Sequence, residues 1–159
     1  VNRLTDYIER YRGKMLRPTL VVICGLATEQ GPKAVGQDHR VIATVVEMVH
    51  MATLIHDDIL DEAQIRRGGA TINHLHGNET AVMLGDYLIS HAYHLCSSLH
   101  DPSISRLISQ ATNIVCEGEL LQLENRNNWL LDQRIYFEII RRKTASLCGI
   151  CCRKYPVRC

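Results

Sequence analysis

The stretch that most constrains this chain is His50–Gly68, HMATLIHDDILDEAQIRRG. Asp57, Asp58 and Asp61 form a DDxxD array, followed by the pair Arg66-Arg67. Val41, Val45, Val46, Val49, Ile55, Ile59 and Leu60 recur at three- and four-residue intervals, the period of an amphipathic helix. At 3.6 residues per turn, Asp57 and Asp61 lie one turn apart on one face. His50, two turns before Asp57, falls on nearly the same stripe. Like charges at that spacing weaken an isolated helix, so a positive partner is called for. Oxygen donors with no cysteine nearby suit Mg²⁺, which keeps several waters and shares its coordination with phosphates. Arg66 and Arg67 add planar, permanently charged donors that match phosphate oxygens. Together these groups describe a diphosphate site. The alternative is a solvated acidic helix end followed by a basic loop.

Composition narrows the setting. The 159 residues suit one domain with a substantial core. Leu, Ile, Val and Ala dominate, and aromatics make up only 5%, which favours an all-α packing. A net charge of +1 argues against a nucleic-acid grip. No apolar run reaches the ~20 residues that a transmembrane helix needs, and the opening VNRLTDYIERYRGK lacks the apolar core of a secretory signal. Seven cysteines without framework spacing fit buried, reduced thiols and a cytoplasmic protein. Cys148 and Cys151 permit a zinc reading, but no second pair completes four ligands, and helical spacing makes them core residues.

Along the chain, Leu4, Tyr7, Ile8 and Tyr11 sketch a short helix ending at Gly13. In Gly13-Lys14-Met15-Leu16-Arg17-Pro18, the proline suits the first turn of the next helix. Lys14 and Arg17 beside helix-start amides make an anion site. That helix is expected over about 19–30, stopped by Gly31-Pro32, and the central helix over about 38–62. After the loop through Gly68-Gly69-Ala70, residues 71–77 read as a connector. A helix over about 78–99 is apolar around most of its circumference and is expected to be buried, so Asp86 within it needs a partner. A helix over about 103–125 places Glu119 and Gln122 on one face. A last helix starts near Asp132 and carries Lys143-Thr144.

These motifs, in this order from about Gly13 to Cys152, resemble the trans-isoprenyl diphosphate synthases, in particular their long-chain polyprenyl branch. The resemblance implies an all-α, isoprenoid-synthase-type helical bundle over 1–152, with residues 153–159 a tail that departs from the family pattern. It implies that Asp57 and Asp61, with Asp58, hold Mg²⁺ against the diphosphate of an allylic primer. Arg66, Lys143 and Thr144 would bind that allylic diphosphate. Lys14, Arg17, His50 and Arg67 would bind isopentenyl diphosphate. Arg12 and Met15 stand where the family pattern often has Gly and Arg. Gln122, similar to long-chain members, and Asp86 would support the metal residues without binding metal themselves. The reaction implied is ionisation of the primer and condensation with isopentenyl diphosphate in a water-free cleft. A homodimer is also implied.

The fifth and fourth residues before Asp57 are Ala52 and Thr53. Short-chain relatives carry bulky aromatics there, so small residues imply a channel for a long product. The family's second DDxxD has no counterpart in the 159 residues. The chain begins with Val1, and the expectation is an N-terminal half with impaired activity and an exposed apolar face. Two alternatives stand beside this reading. One is a non-catalytic subunit of such an enzyme. The other is an all-helical metal-dependent phosphohydrolase of the HD type, using His56-Asp57 with His39 and Asp86, which leaves Asp61 and the arginine pair unexplained.

Overall fold

The computed structural model describes residues 13–28 and 35–153. The helix expected around Tyr7, the Gly31-Pro32 stop and the tail after Arg153 lie outside the described residues. Within them the chain is a layered set of helices: α1 (Leu16–Thr28), α2 (Gln37–Leu60), α3 (Ile72–His76), α4 (Asn78–Cys96), α5 (Pro102–Glu124), α6 (Gln133–Ile140) and α7 (Ser146–Cys151). A π-helical turn, Arg141–Ala145, joins α6 to α7.

The spine is α2, 24 residues long. Its apolar stripe, Ile42, Val45, Val46 and Val49, is fully buried together with Val21 of α1, Ala92 of α4, Ile104 and Ile108 of α5 and Leu147 of α7. A second cluster, Met51, Ala52, Ile55, Ile72, Ala81, Leu84 and Leu88, packs the later turns of α2 against α3 and α4. Burying one such aliphatic side chain contributes roughly 1.5–3 kcal/mol, so the two clusters fix which face of α2 looks inward. The opposite stripe is left to carry polar groups. Asp101 and Asp132 cap α5 and α6 by accepting from the backbone N–H of Ser103 and Arg134.

Three details differ from the sequence reading. The segment expected as loop and connector contains a two-stranded hairpin, β1 (Ile65–Arg66) with β2 (Gly69–Ala70), and then α3. Arg67 and Gly68, between the strands, both have positive φ (52° and 81°), as a two-residue hairpin loop demands. Helix α4 is not buried all round: Ala81, Leu84, Gly85, Leu88 and Ala92 face the core, while Val82, Met83 and Tyr87 are exposed. Asp86 shares that outer side, so the buried charge expected there is instead a surface carboxylate, 3.6 Å from His56 Nε2. The last helix is interrupted by the π turn, a defect that sequence periodicity does not announce.

Candidate active site

Two adjoining cavities open along the polar stripe of α2, and Arg17 and His50 line both. The first, about 1030 Å³, is bounded by Gly13, Lys14, Met15, Leu16, Arg17, Glu47, His50 and Arg67. The second, about 1200 Å³, carries Asp57, Glu119, Lys143 and Thr144 beside an apolar wall that includes Leu54, Ile89, Val115, Leu120 and Leu123.

The first cavity is assembled from three separate pieces of chain. Met15 turns with φ 51° and starts α1, which brings Lys14 and Arg17 to one rim. The hairpin delivers Arg67 to the other, and its guanidinium lies so close to Gly13 that an added Cβ would meet its central carbon at 2.9 Å. Burial, reinforced by Arg17, Arg67 and Arg66, lowers the His50 pKa to about 4. His50 is thus a neutral imidazole at pH 7, able to donate one hydrogen bond without adding to the positive field. Arg17 Nε is buried with no hydrogen-bond partner. A buried guanidinium nitrogen left open in this way costs free energy unless something accepts from it, and a phosphate oxygen is the matching acceptor.

The second cavity holds carboxylates already matched by cations. Lys143 Nζ lies 3.9 Å from Asp57 Oδ2, forms an ion pair with Glu119, and donates to Gln122 Oε1 at 3.1 Å. Burial, opposed by Lys143 and added to by Glu119 and Asp61, pushes Asp57 up to about 6. Such a carboxyl is stabilised by any further positive charge. Asp61, at the C-terminal end of α2, accepts from Arg126 Nη2 at 2.7 Å. The π turn gives Lys143 its position. It passes over Gly118 of α5 so closely that a Cβ there would meet Arg142 Cβ at 2.6 Å and the Lys143 backbone nitrogen at 2.9 Å. Glu138 and Glu117 brace the turn through Arg142.

The structure separates residues that the sequence had grouped. Asp58 faces away from Asp57 and Asp61: it is buried, and its carboxylate accepts from Arg66 Nε at 2.7 Å. Burial raises the Asp58 pKa, with the Arg66 hydrogen bond opposing. Asn73 donates to the Asp58 carbonyl and Thr71 to the Ala63 carbonyl, so the connector clamps the end of α2 and the hairpin together. Asp58 and Arg66, expected at the metal and at the allylic diphosphate, are here paired with each other. The physical reason is the 100° step between adjacent helical residues, which sends neighbouring aspartates to different faces. The same step divides Ala52 from Thr53. Thr53 lines the cleft, whereas Ala52 is fully buried in the core, so the wall expected at Ala52 is not part of the cleft. Gln122 accepts from Lys143, and Asp86 lies 3.6 Å from His56, which lines the cleft.

Sequence reading placed Glu119 on the face of Gln122 without assigning it to the site, and it missed Arg126. Glu119 carried a usable signal in its spacing; Arg126 carried none, since its contact with Asp61 spans 65 residues.

The described residues gather no set of three or more His, Cys, Asp or Glu side chains suited to a metal. Asp57 and Asp61 nevertheless fit Mg²⁺, which is often held by one or two carboxylates while waters and phosphate oxygens fill the rest of its octahedron. No described helix is long and apolar enough to cross a membrane.

The helical bundle, with its carboxylates and its cation cluster, has counterparts among known proteins. The polyprenyl synthetase family profile matches residues 1–156. The chain is 37% identical over 147 residues to octaprenyl diphosphate synthase of Escherichia coli (strain K12), covering 92% of this chain and 44% of that protein. A decaprenyl diphosphate synthase structure from Rhodobacter capsulatus superposes with a TM-score of 0.88 at 34% identity, over 94% of this chain and 45% of that one. A polyprenyl synthase from Caulobacter crescentus CB15, complexed with calcium and isoprenyl diphosphate, gives 0.87 at 32% identity, over 95% and 45%. The chain belongs to the polyprenyl synthetase family. It spans less than half the length of these relatives.

Proposed function

We propose that the chain carries the substrate-binding wall of a trans-polyprenyl diphosphate synthase, which joins isopentenyl diphosphate to an allylic diphosphate and makes a long-chain product. The observation that carries this is the pair of cavities sharing Arg17 and His50: one lined by cations, the other by carboxylates, a lysine and apolar side chains. An apolar wall directly beside a diphosphate end fits an isoprenoid better than a polar phosphate ester.

In this reading Lys14, Arg17, His50 and Arg67 hold isopentenyl diphosphate in the first cavity. Arg17 Nε supplies a donor that is buried and waiting, and neutral His50 donates without repelling the neighbouring guanidinium groups. Asp57 and Asp61 would hold Mg²⁺, whose contribution is to stabilise charge on the departing diphosphate. Lys143 and Thr144 face the same oxygens from the π turn. To do so Lys143 exchanges its bonds to Asp57 and Glu119 for the diphosphate while Gln122 keeps its ammonium in place. The carbon–oxygen bond of the primer breaks, diphosphate leaves with the electron pair, and the allylic cation is taken up by the double bond of isopentenyl diphosphate. Loss of a proton then restores a neutral chain five carbons longer. Leu54, Ile89, Val115 and Leu123 exclude water, which would otherwise capture the cation. Thr53, on the cleft surface, is the proposed determinant of chain length. A homodimer belongs to this reading and is supported by the exposed Val82, Met83 and Tyr87 of α4; sedimentation velocity over a concentration series tests it.

The deciding experiment incubates the 159-residue chain with Mg²⁺, farnesyl diphosphate and labelled isopentenyl diphosphate. Binding of both substrates is measured by calorimetry, and extension by sizing the labelled products. Binding at two distinct sites supports the reading whether or not turnover follows. Failure to bind either diphosphate overturns it.

A further inference from the structure

Arg126 lies in the loop between α5 and α6, outside the groups that the proposed reaction uses, yet it reaches the end of α2. Its Nη2 donates to Asp61 Oδ1 at 2.7 Å and to the Leu60 carbonyl at 3.0 Å. The carbonyl is one of those a helix leaves unpaired at its C-terminus, where a cation is favoured. The loop around Arg126 is tightly folded: the Asn128 N–H donates to Asn125 O, the Leu131 N–H to Asn128 O, and the Leu130 N–H to the Asn128 side chain. Its tip presents Trp129, 94% exposed and the chain's single tryptophan.

We propose that Arg126 is an ionic latch: without a divalent cation it occupies the Asp61 carboxylate and ties the Asn125–Leu131 loop to the rim of the cleft, and a cation bound by Asp61 releases it. The inference rests on the metal reading of Asp61 made above. Its physical basis is competition for one carboxylate. Asp61 Oδ1 is already bonded to the guanidinium, and a carboxylate holding Mg²⁺ would be a much poorer partner for a second cation. Both members of the ion pair are 47% exposed, so its grip is modest. Breaking it is expected to change metal affinity by about two- to fivefold, in line with exposed pairs. A weak latch suits a step that must reverse in every cycle.

Trp129 makes the latch observable without turnover. Mg²⁺ is titrated into the wild-type chain, with affinity read by calorimetry and loop mobility by the steady-state anisotropy of Trp129. The expected result is a fall in anisotropy that saturates with Mg²⁺ binding. Arg126→Gln is expected to bind Mg²⁺ about two- to fivefold more tightly, to start at the low anisotropy, and to show little further change. Arg134→Gln removes the same charge from an exposed position on α6 and is expected to behave as wild type, which separates the latch from a general change in net charge. Should Arg126→Gln fail to fold, Arg126→Met keeps much of the unbranched apolar stem without the charge and carries the same expectation. If wild type binds Mg²⁺ while both arginine variants match it in affinity and anisotropy, the latch is wrong and the metal reading survives. If wild type binds no Mg²⁺ with or without inorganic diphosphate, both fall together.

Discussion

The two cavities share two side chains and are built on opposite electrostatic plans. In the first, Lys14, Arg17 and Arg67 converge around a neutral imidazole, and a buried guanidinium nitrogen has no acceptor. In the second, Asp57 and Glu119 already meet Lys143, and next to it, at the end of α2, Asp61 meets Arg126. The first gathers cations where an anion can dock, and Arg17 Nε there is open to donate to one. The second is internally neutralised and can accept a cation and a diphosphate only by exchanging partners. Pre-set fields bind at once, whereas balanced ones respond to what arrives. That contrast suits one site for a passive substrate and another where charge separates.

The strongest way to break the comparison is to unbalance the second cavity. Lys143→Ala leaves Asp57 and Glu119 half-buried without their cation. Truncating one partner of a buried, hydrogen-bonded charge pair costs about 2–5 kcal/mol, so primer binding with Mg²⁺ is expected to weaken by roughly 30-fold or more. Inorganic diphosphate binding in the first cavity should stay within about twofold, since Lys143 does not line it. Parallel calorimetry with both ligands checks this. Equal losses at the two sites would mean that the cavities are one.

A steric change is expected to be nearly as damaging. Gly118→Ala places a methyl against Arg142 Cβ and the Lys143 backbone, and overpacking of this kind costs about 1–3 kcal/mol. The urea midpoint should fall, and primer affinity should fall with it as Lys143 is displaced. Unchanged unfolding would show that the π turn has slack.

Next in size is the pair Ala52→Phe and Thr53→Phe, which tests which side of α2 faces the cleft. Ala52→Phe drives a ring into the cluster with Ile72, Ala81 and Leu84 and should destabilise by about 1–3 kcal/mol. Thr53→Phe should leave stability within about 0.5 kcal/mol while shortening any labelled product. The reverse pattern would put Ala52 on the channel.

The last effect concerns His50. Its pKa is about 4 in the folded chain against an ordinary value near 6.5. Between those values the unfolded chain binds more protons than the folded one. Stability therefore rises with pH across the window and is lost as pH falls from about 6.5 toward 4. His50→Gln should flatten that part of the profile, as read from urea midpoints at pH 7 and pH 5. An unaltered slope would mean that other groups account for the acid sensitivity.

Much of the architecture was legible in the chain. The spacing of Val45, Val46, Val49 and Ile55 gave α2 and its inward face, and Asp132 marked the start of α6. Helical periodicity alone puts His50 and Asp57 on one stripe, and both line the same cavity. Lys14, Arg17 and Arg67 came together as the resemblance implied, although nothing local joins them.

What sequence could not supply were the choices made by close packing between distant segments. Periodicity separates faces by angle, yet it does not say which of two adjacent small residues meets a neighbouring helix; the contacts of α3 and α4 put Ala52 in the core and left Thr53 in the cleft. A DDxxD string offers three equivalent aspartates, and only the hairpin's return path gave Asp58 to Arg66. Gly118 and the π turn fixed Lys143 through a contact 25 residues away in the chain, and Arg126 found Asp61 across 65. Local sequence determined the helices and the stripe that carries the chemistry, because those depend on the period of the backbone. Which charge neutralises which was decided in three dimensions, because Coulomb and steric terms act on distance in space and are blind to distance along the chain.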